Sequence, residues 1–196
     1  MNDYENALRE GLKVIDHDFK LGLTEDDILN TPKRINRFMK EFFGKHLELE
    51  KVIADIKDHG VFASKNDEMI ITRNIRSYSL CPHHFLPVEL VTFIGYIPSE
   101  KVIGLSKMSR IVEALSSRPV LQEDLVEDIM KVIEDILKPK GAIVVSYGRH
   151  FCMVMRGIKK EEATIVTSSV RGSFEQPVTR AEFMSLIKTK ELNLLD

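Results

Sequence analysis

The stretch that most constrains the fold is SLCPHHFLP, residues 79–87, because it places candidate metal ligands between two segments with strand periodicity. Apolar and polar residues alternate over 69–77, and residues 88–97 have the composition of a second strand. Cys81 and His84 therefore lie in the connection between two strands. Their C-x-x-H spacing allows both side chains to reach one metal ion.

The other cysteine of the chain, Cys152, lies close behind His150 in the segment HFCMVMRG, residues 150–157. We predict a strand here, in which alternation places His150, Cys152 and Arg156 on one face and apolar side chains on the other. With the C-x-x-H pair this gives two thiolates and one imidazole, the ligand pattern of catalytic zinc with an open fourth position. A closed structural site would need His83 or His150 as the fourth ligand. The alternative without a metal is a half-buried polar strand and two inert cysteines.

Composition and charge limit the possible partners and compartments. The net charge is −2, which argues against nucleic acid as the main partner. The sequence has no apolar run long enough to span a membrane, and its first residues, MNDYENALREG, lack the apolar core of a signal peptide. We therefore expect a cytoplasmic protein that binds neither nucleic acid nor a membrane, with its cysteines as reduced thiols.

Periodicity and turn signals predict the remaining elements. They are a helix over 4–17, a helix from Thr31-Pro32 to Gly44, helices over 106–117 and 121–138, a hairpin of 142–147 with 151–158, a strand over 163–170, and a helix over 179–187 capped by Thr179. This order predicts an α+β fold with an antiparallel sheet. The length of 196 residues suits one domain, or a core domain with a helical N-terminal extension.

Two cations lie at the predicted start of the helix over 106–117. Ser106 is the expected N-cap, and Lys107 and Arg110 fall in the first turn, where the helix dipole disfavours positive charge. That turn contains no Asp or Glu, so a bound phosphate would remove the conflict. Arg156 would add a third cation, which suits a polyphosphate. The alternative is a capped surface helix with a mild dipole mismatch.

Gln122 and Glu123 stand side by side at the start of the next predicted helix. Both can serve as helix-capping residues. The functional alternative is recognition of a guanine edge, because a carboxylate accepts hydrogen bonds from the ring N1–H and the exocyclic amine together.

With these motifs assembled, the sequence resembles GTP cyclohydrolase I, of the tunnelling-fold (T-fold) superfamily. The matching stretches are SLCPHHFLP, Tyr96-Ile97-Pro98, VIGLSKMSRIV, Arg118-Pro119-Val120-Leu121-Gln122-Glu123, HFCMVMRG, and Thr167-Ser168 followed by Gly172-Ser173-Phe174. The resemblance covers about residues 4–188. It implies a T-fold catalytic domain over 61–196, an antiparallel sheet with helices on one face, and a helical N-terminal extension over 1–60.

The resemblance also implies roles for individual residues. They are zinc ligation by Cys81, His84 and Cys152; catalysis by His83 and His150, with Ser106 near the ribose; triphosphate binding by Lys107, Arg110 and Arg156; and guanine binding by Glu123 with Gln122 beside it. The implied reaction converts GTP and water into 7,8-dihydroneopterin triphosphate and formate, for folate, another pterin cofactor or a deazapurine. The family assembles as a homodecamer with active sites at subunit interfaces.

Pro82 departs from the family pattern, which usually has glutamate at this position. Three other interpretations stay open. One is another T-fold enzyme, such as a nitrile reductase of deazaguanine biosynthesis, with a cysteine nucleophile and NADPH but no zinc. Another is a non-catalytic scaffold stabilised by a four-ligand zinc site. The last is a cyclohydrolase that stops after ring opening or formate release.

Overall fold

The computed structural model describes residues 2–188, and the chain divides into two compact units, Met1–Gly44 and Lys45–Asp196. The first unit contains helix α1, Asp3–Phe19, and most of helix α2, Glu25–Leu47. A third helix lies within the second unit, so the helical part of the chain extends past the border between the units. The predicted division into an extension over 1–60 and a catalytic domain over 61–196 stays a prediction.

The predicted start and end of the second helix are wrong. Helix α2 begins at Glu25 because Thr24 and Asp27 cap each other: the Asp27 amide donates to the Thr24 hydroxyl at 3.1 Å, and the Thr24 amide donates to the Asp27 carboxylate at 3.0 Å. Pro32 lies inside the helix, where its ring removes one backbone donor without ending the helix. Gly44 is also helical, and α2 continues to Leu47.

The second unit alternates helices and strands. Its elements are α3 Leu49–His59, β1 Val61–Ala63, β2 Ile70–Leu80, β3 Pro87–Ile97, β4 Lys101–Ile103, α4 Leu105–Ser116, α5 Gln122–Leu137, β5 Gly141–His150, α6 Phe151–Val154, β6 Ile165–Gly172, a 3-10 turn Ser173–Glu175, and α7 Pro177–Ile187. Within residues 2–188, strands β2, β3, β5 and β6 form an antiparallel sheet in that order, and β1 pairs with β4. The predicted α+β class with an antiparallel sheet is confirmed.

Helices α4 and α5 pack on one face of the sheet, as predicted. Alternate residues of β3 and β5, such as Ile94 and Val144, join Ile111 and Ile129 of these helices in one buried cluster. The opposite face carries Phe93 and its neighbours, and it is covered by the 3-10 turn and α7, which contribute Phe174 and Phe183. The placement of helices on one face therefore holds for α4 and α5 but not for α7.

Three local predictions fail where short-range signals mislead. The segment predicted as a strand over 151–158 is the helical turn α6 followed by a loop. Strand β5 ends at His150, and the strand that pairs with it as a hairpin is β6. Apolar residues in a run this short fit a strand or a helical turn equally well. Ser106 does not cap α4, since Gly104 occupies the N-cap position. Thr179 lies inside α7, which begins at Pro177.

Candidate metal and substrate site

Cys81 and His84 are held in the hairpin loop between β2 and β3. The strands pair up to Leu80 and Pro87, and inside the loop the Cys81 amide donates to the Leu86 carbonyl at 2.8 Å. The Phe85 amide donates to the Cys81 carbonyl, also at 2.8 Å. These bonds form one compact turn, so Cys81 and His84, which are three positions apart in the sequence, also lie close together in space. The Cys81 Sγ lies 3.6 Å from the His84 Nδ1.

Cys152 reaches this loop from the end of β5. Because Val88 of β3 pairs with His150 of β5, the sheet register brings the helical turn α6 next to the hairpin loop. One ligand atom each from Cys81, His84 and Cys152 lies within 4.8 Å of the others. We call these three residues the ligand set. Two thiols and an imidazole suit Zn²⁺, and their spacing allows all three to bind one ion.

The protonation of Cys152 depends on whether a cation is bound. Burial, followed by the neighbouring Cys81, raises the pKa of the Cys152 thiol, and the Arg156 guanidinium opposes this effect. A metal ion binds the thiolate, so binding would release the proton that these surroundings retain. Cys81 is buried and Cys152 partly buried, and both are free thiols, as expected for cysteines that bind a metal or act in catalysis.

His150 is oriented by Gln122, the first residue of α5. The Gln122 amide nitrogen donates to two backbone carbonyls, those of Ser146 at 2.9 Å and Ile165 at 3.1 Å. Its Oε1 therefore faces the His150 Nε2, at 2.9 Å, and must accept a hydrogen bond from it. Neutral His150 thus carries its proton on Nε2 and leaves Nδ1 as the unprotonated nitrogen.

Gln122 is 3% exposed, and both ends of its amide are bonded inside the protein. The Gln122 side chain therefore lies beside a predicted catalytic histidine and not at an exposed surface where it could contact the guanine base. Gly148 leaves the necessary space, because a Cβ at this position would collide with the Gln122 Oε1. We therefore interpret Gln122 as a positioning residue for His150.

Glu123 and Arg156 also act on this part of the site. Burial lowers the pKa of His150, and the Glu123 carboxylate partly offsets that effect. Arg156 lies near enough to Cys152 to favour its thiolate. His83 is exposed, with its Nδ1 3.9 Å from the Cys81 Sγ. The structure therefore groups the ligand set with both predicted catalytic histidines, Glu123 and Arg156.

A cavity of about 560 Å³ opens beside His83. Its lining includes Pro82, Leu121 and the ion pair of Arg118 with Asp128, whose closest atoms are 2.5 Å apart. The backbone at Arg118 is tied to the end of β2, since the Ser79 hydroxyl donates to the Arg118 carbonyl at 2.9 Å. The cavity is thus anchored to the strand that carries Cys81.

The remaining predicted residues lie on the first turn of α4. Ser106 is exposed. Lys107 donates to Asp55 of α3 at 2.8 Å, and the Arg110 guanidinium lies 3.8 Å from the same carboxylate oxygen. We call Lys107, Arg110 and Asp55 the cation cluster. The convergence of this cluster with Arg156 and the ligand set stays a prediction.

Sequence reasoning missed Asp55 and Gly148. Asp55 lies on a helix that was not predicted, among other exposed charges, and its pairing with α4 depends on the packing of two helices. Gly148 carried a weak signal, since a glycine inside a strand often marks a close approach by another group. The structure shows that the approaching group is the Gln122 side chain.

Within residues 2–188, no helix has both the length and the apolar content needed to cross a membrane.

Comparison with known proteins identifies the family. The family model for GTP cyclohydrolase I matches residues 4–188. GTP cyclohydrolase 1 of Streptomyces griseus is 42% identical over 190 residues, covering 95% of this chain and 90% of the relative. GTP cyclohydrolase 1 of Campylobacter concisus is 38% identical over 188 residues, covering 95% of each chain.

A solved structure of an archaeosine synthase QueF-like protein is 16% identical, with a TM-score of 0.46, and covers 56% of this chain and 98% of its own. A likeness this low carries no conclusion about activity. The family match over residues 4–188 is decisive instead, and the chain belongs to the GTP cyclohydrolase I family, whose fold is the predicted T-fold.

Proposed function

We propose that this chain is a zinc-dependent enzyme that hydrolyses GTP at purine C8, giving 7,8-dihydroneopterin triphosphate and formate. The observation that carries the proposal is the ligand set: two thiols and an imidazole within 4.8 Å of one another, in a member of this family. The donor types fit zinc, and a set of three leaves a coordination position open for catalysis. When bound there, zinc would supply Lewis-acid activation of water for attack at C8.

His150 and His83 are proposed to move protons in this reaction. The hydrogen bond from the His150 Nε2 to Gln122 fixes the ring, which leaves Nδ1 to exchange a proton with the purine N7. His83 lies on the hairpin loop and lines the cavity, where it can carry the proton needed as the formyl group leaves. Imidazole is the side chain best suited to moving protons near neutral pH, because it can both take up and release a proton there.

The substrate would be held by groups at each of its ends. Glu123, in the first turn of α5, is proposed to accept hydrogen bonds from the guanine edge. Lys107, Arg110 and Arg156 are proposed to bind the triphosphate, and Ser106 to assist at the ribose. Binding energy from the triphosphate, remote from C8, would position the base for reaction.

The wider setting is proposed from family membership. We propose a homodecamer with active sites at subunit interfaces, located in the cytoplasm. Neither nucleic acid nor a membrane is a proposed partner. Residues 1–60 would form the helical extension and residues 61–196 the catalytic domain. The product would enter folate, pterin or deazapurine biosynthesis.

The deciding experiment is incubation of the zinc-loaded protein with GTP, following formate and the fluorescence of the oxidised pterin. We expect equal amounts of both products, and loss of both in Cys152→Ala. Formate without pterin would show a cyclohydrolase that stops early. Neither product, with zinc bound, would overturn the proposal.

A further inference from the structure

The cation cluster contains a negative charge at the place where the proposed function puts a triphosphate. Lys107 and Arg110 both face the same oxygen of Asp55, Oδ2, at 2.8 and 3.8 Å. The other oxygen, Oδ1, lies 3.5 Å from the His59 Nδ1. Hydrogen bonding and charge from Lys107 hold the pKa of Asp55 below its usual range, so the carboxylate is ionised at neutral pH.

This arrangement resembles the binding of a phosphate oxygen. Carboxylate and phosphate oxygens are both anionic acceptors for Lys and Arg, so one can replace the other between the same cations. The first turn of α4 itself contains no acidic residue. Asp55, from a different helix, therefore supplies the negative charge that favours this helix terminus.

The two partners differ in how far their surroundings enclose them. The Lys107 side chain is 17% exposed and passes close to Gly60, where an added Cβ would lie 3.0 Å from the Lys107 Cε. The side chain of Asp55 is 48% exposed. The lysine is thus held in place by its surroundings, whereas the carboxylate can rotate into solvent when another anion takes its position.

A second ion pair on α3 shows what an ordinary contact of this kind looks like. Lys57 lies 2.7 Å from Asp135 of α5, and both side chains are largely exposed. That pair joins one cation to one carboxylate. Asp55 instead faces two cations on α4, both of which the proposed function assigns to the triphosphate.

We propose that Asp55 is a built-in competitor of the substrate triphosphate. This inference rests on the proposed function. In the free enzyme Asp55 neutralises Lys107 and Arg110, and a polyphosphate displaces it because several phosphate oxygens outcompete a single carboxylate. Asp55 therefore lowers the affinity for every anion at this position, and it does so without contributing to the chemical step.

The test compares Asp55→Asn with the matched control Asp135→Asn, which removes the same charge from the other pair. Binding of inorganic tripolyphosphate is measured by calorimetry, and KM and kcat are measured with GTP. We expect Asp55→Asn to tighten tripolyphosphate binding and lower KM by about two- to fivefold, the range of one exposed ion pair, with kcat unchanged. The control should match the wild type.

Two further measurements sharpen the result. The gain in Asp55→Asn should shrink as salt is raised from about 50 to about 500 mM, because the Debye length falls about threefold over this range. It should disappear when Lys107→Met is added, because the competitor then has lost its main partner. Thermal unfolding checks that each variant remains folded.

The inference is overturned if Asp55→Asn raises KM, weakens tripolyphosphate binding, or leaves both unchanged. A raised KM would mean that Asp55 orients Lys107 for the substrate. If the wild type binds tripolyphosphate but does not turn over GTP, the proposed function fails. Tighter tripolyphosphate binding by Asp55→Asn would still support the competition in that case.

Discussion

The ligand set and the cation cluster differ in what holds their side chains in place. The ligand set lies at the ends of β2 and β5, and the register of a hydrogen-bonded sheet fixes its spacing. The cation cluster joins α3 to α4 through ion pairs that are partly or largely exposed. Exposed ion pairs contribute little to stability, whereas sheet register is set by many bonds at once. We infer that the ligand set is rigid and the cation cluster adjustable.

The largest expected effect comes from breaking the ligand set. Cys81→Ser or Cys152→Ala should reduce bound zinc and reduce GTP turnover to background, because two remaining ligands do not hold the ion in a catalytic geometry. Zinc content by elemental analysis and formate release are the measurements. Removing zinc from the wild type with a chelator should have the same effect, with activity restored on adding zinc.

Circular dichroism provides the control for the chelation experiment. The buried cluster between the sheet and helices α4 and α5 consists mainly of aliphatic side chains, so we expect the chelated protein to keep its secondary structure. Unfolding on chelation would instead indicate a structural zinc site of the scaffold type.

An intermediate effect is expected from Gln122→Ala. Losing the acceptor that orients His150 should lower kcat by about ten- to a hundredfold while changing KM little, since the proton-transfer step is affected more than binding. The exposed Gln176, at the start of α7, offers the matched control Gln176→Ala. A kcat equal to that of the control would contradict the positioning role.

Gly148→Ala tests the same contact from the other side. The added methyl would collide with the Gln122 Oε1 and displace it from His150. We expect a fall in kcat similar to that of Gln122→Ala. Thermal unfolding should also show destabilisation, of about 1–3 kcal/mol, if the shift leaves buried carbonyls without donors. Full activity would show that Gln122 does not orient the ring.

A graded effect on affinity is expected from the cation cluster. Lys107→Ala should raise KM for GTP by about tenfold, through the loss of one charge-assisted bond to the triphosphate. The exposed Lys57 of α3, which pairs with Asp135 at 2.7 Å, gives the control Lys57→Ala. An unchanged KM would remove Lys107 from the substrate site. Asp55→Asn should change KM for GTP by a smaller factor than Lys107→Ala and in the opposite direction, lowering it.

The ligand set could be predicted from the sequence because its chemistry is local. Cys81 and His84 stand three positions apart in a turn between two recognisable strands, and the second cysteine has its own neighbouring histidine. The long strands and the helices α4 and α5 were found for a similar reason, since they are long enough to show a period.

The surroundings of these residues could not be predicted in the same way. The cap formed by Thr24 and Asp27 competed with a strong but misleading signal at Pro32, and α6 is too short to show a helical period. The bond between Gln122 and His150 and the pairing of Asp55 with Lys107 depend on tertiary packing. Nothing in the residues near each position indicates its distant partner.

The central claim is that Cys81, His84 and Cys152 form a catalytic zinc site, and X-ray absorption at the zinc edge tests it most directly. For the purified, zinc-loaded protein the account predicts two sulfur ligands at about 2.3 Å, one imidazole nitrogen, and one further ligand that exchanges with solvent. A second imidazole in place of the exchangeable ligand, from His83 or His150, would contradict it by showing a closed structural site.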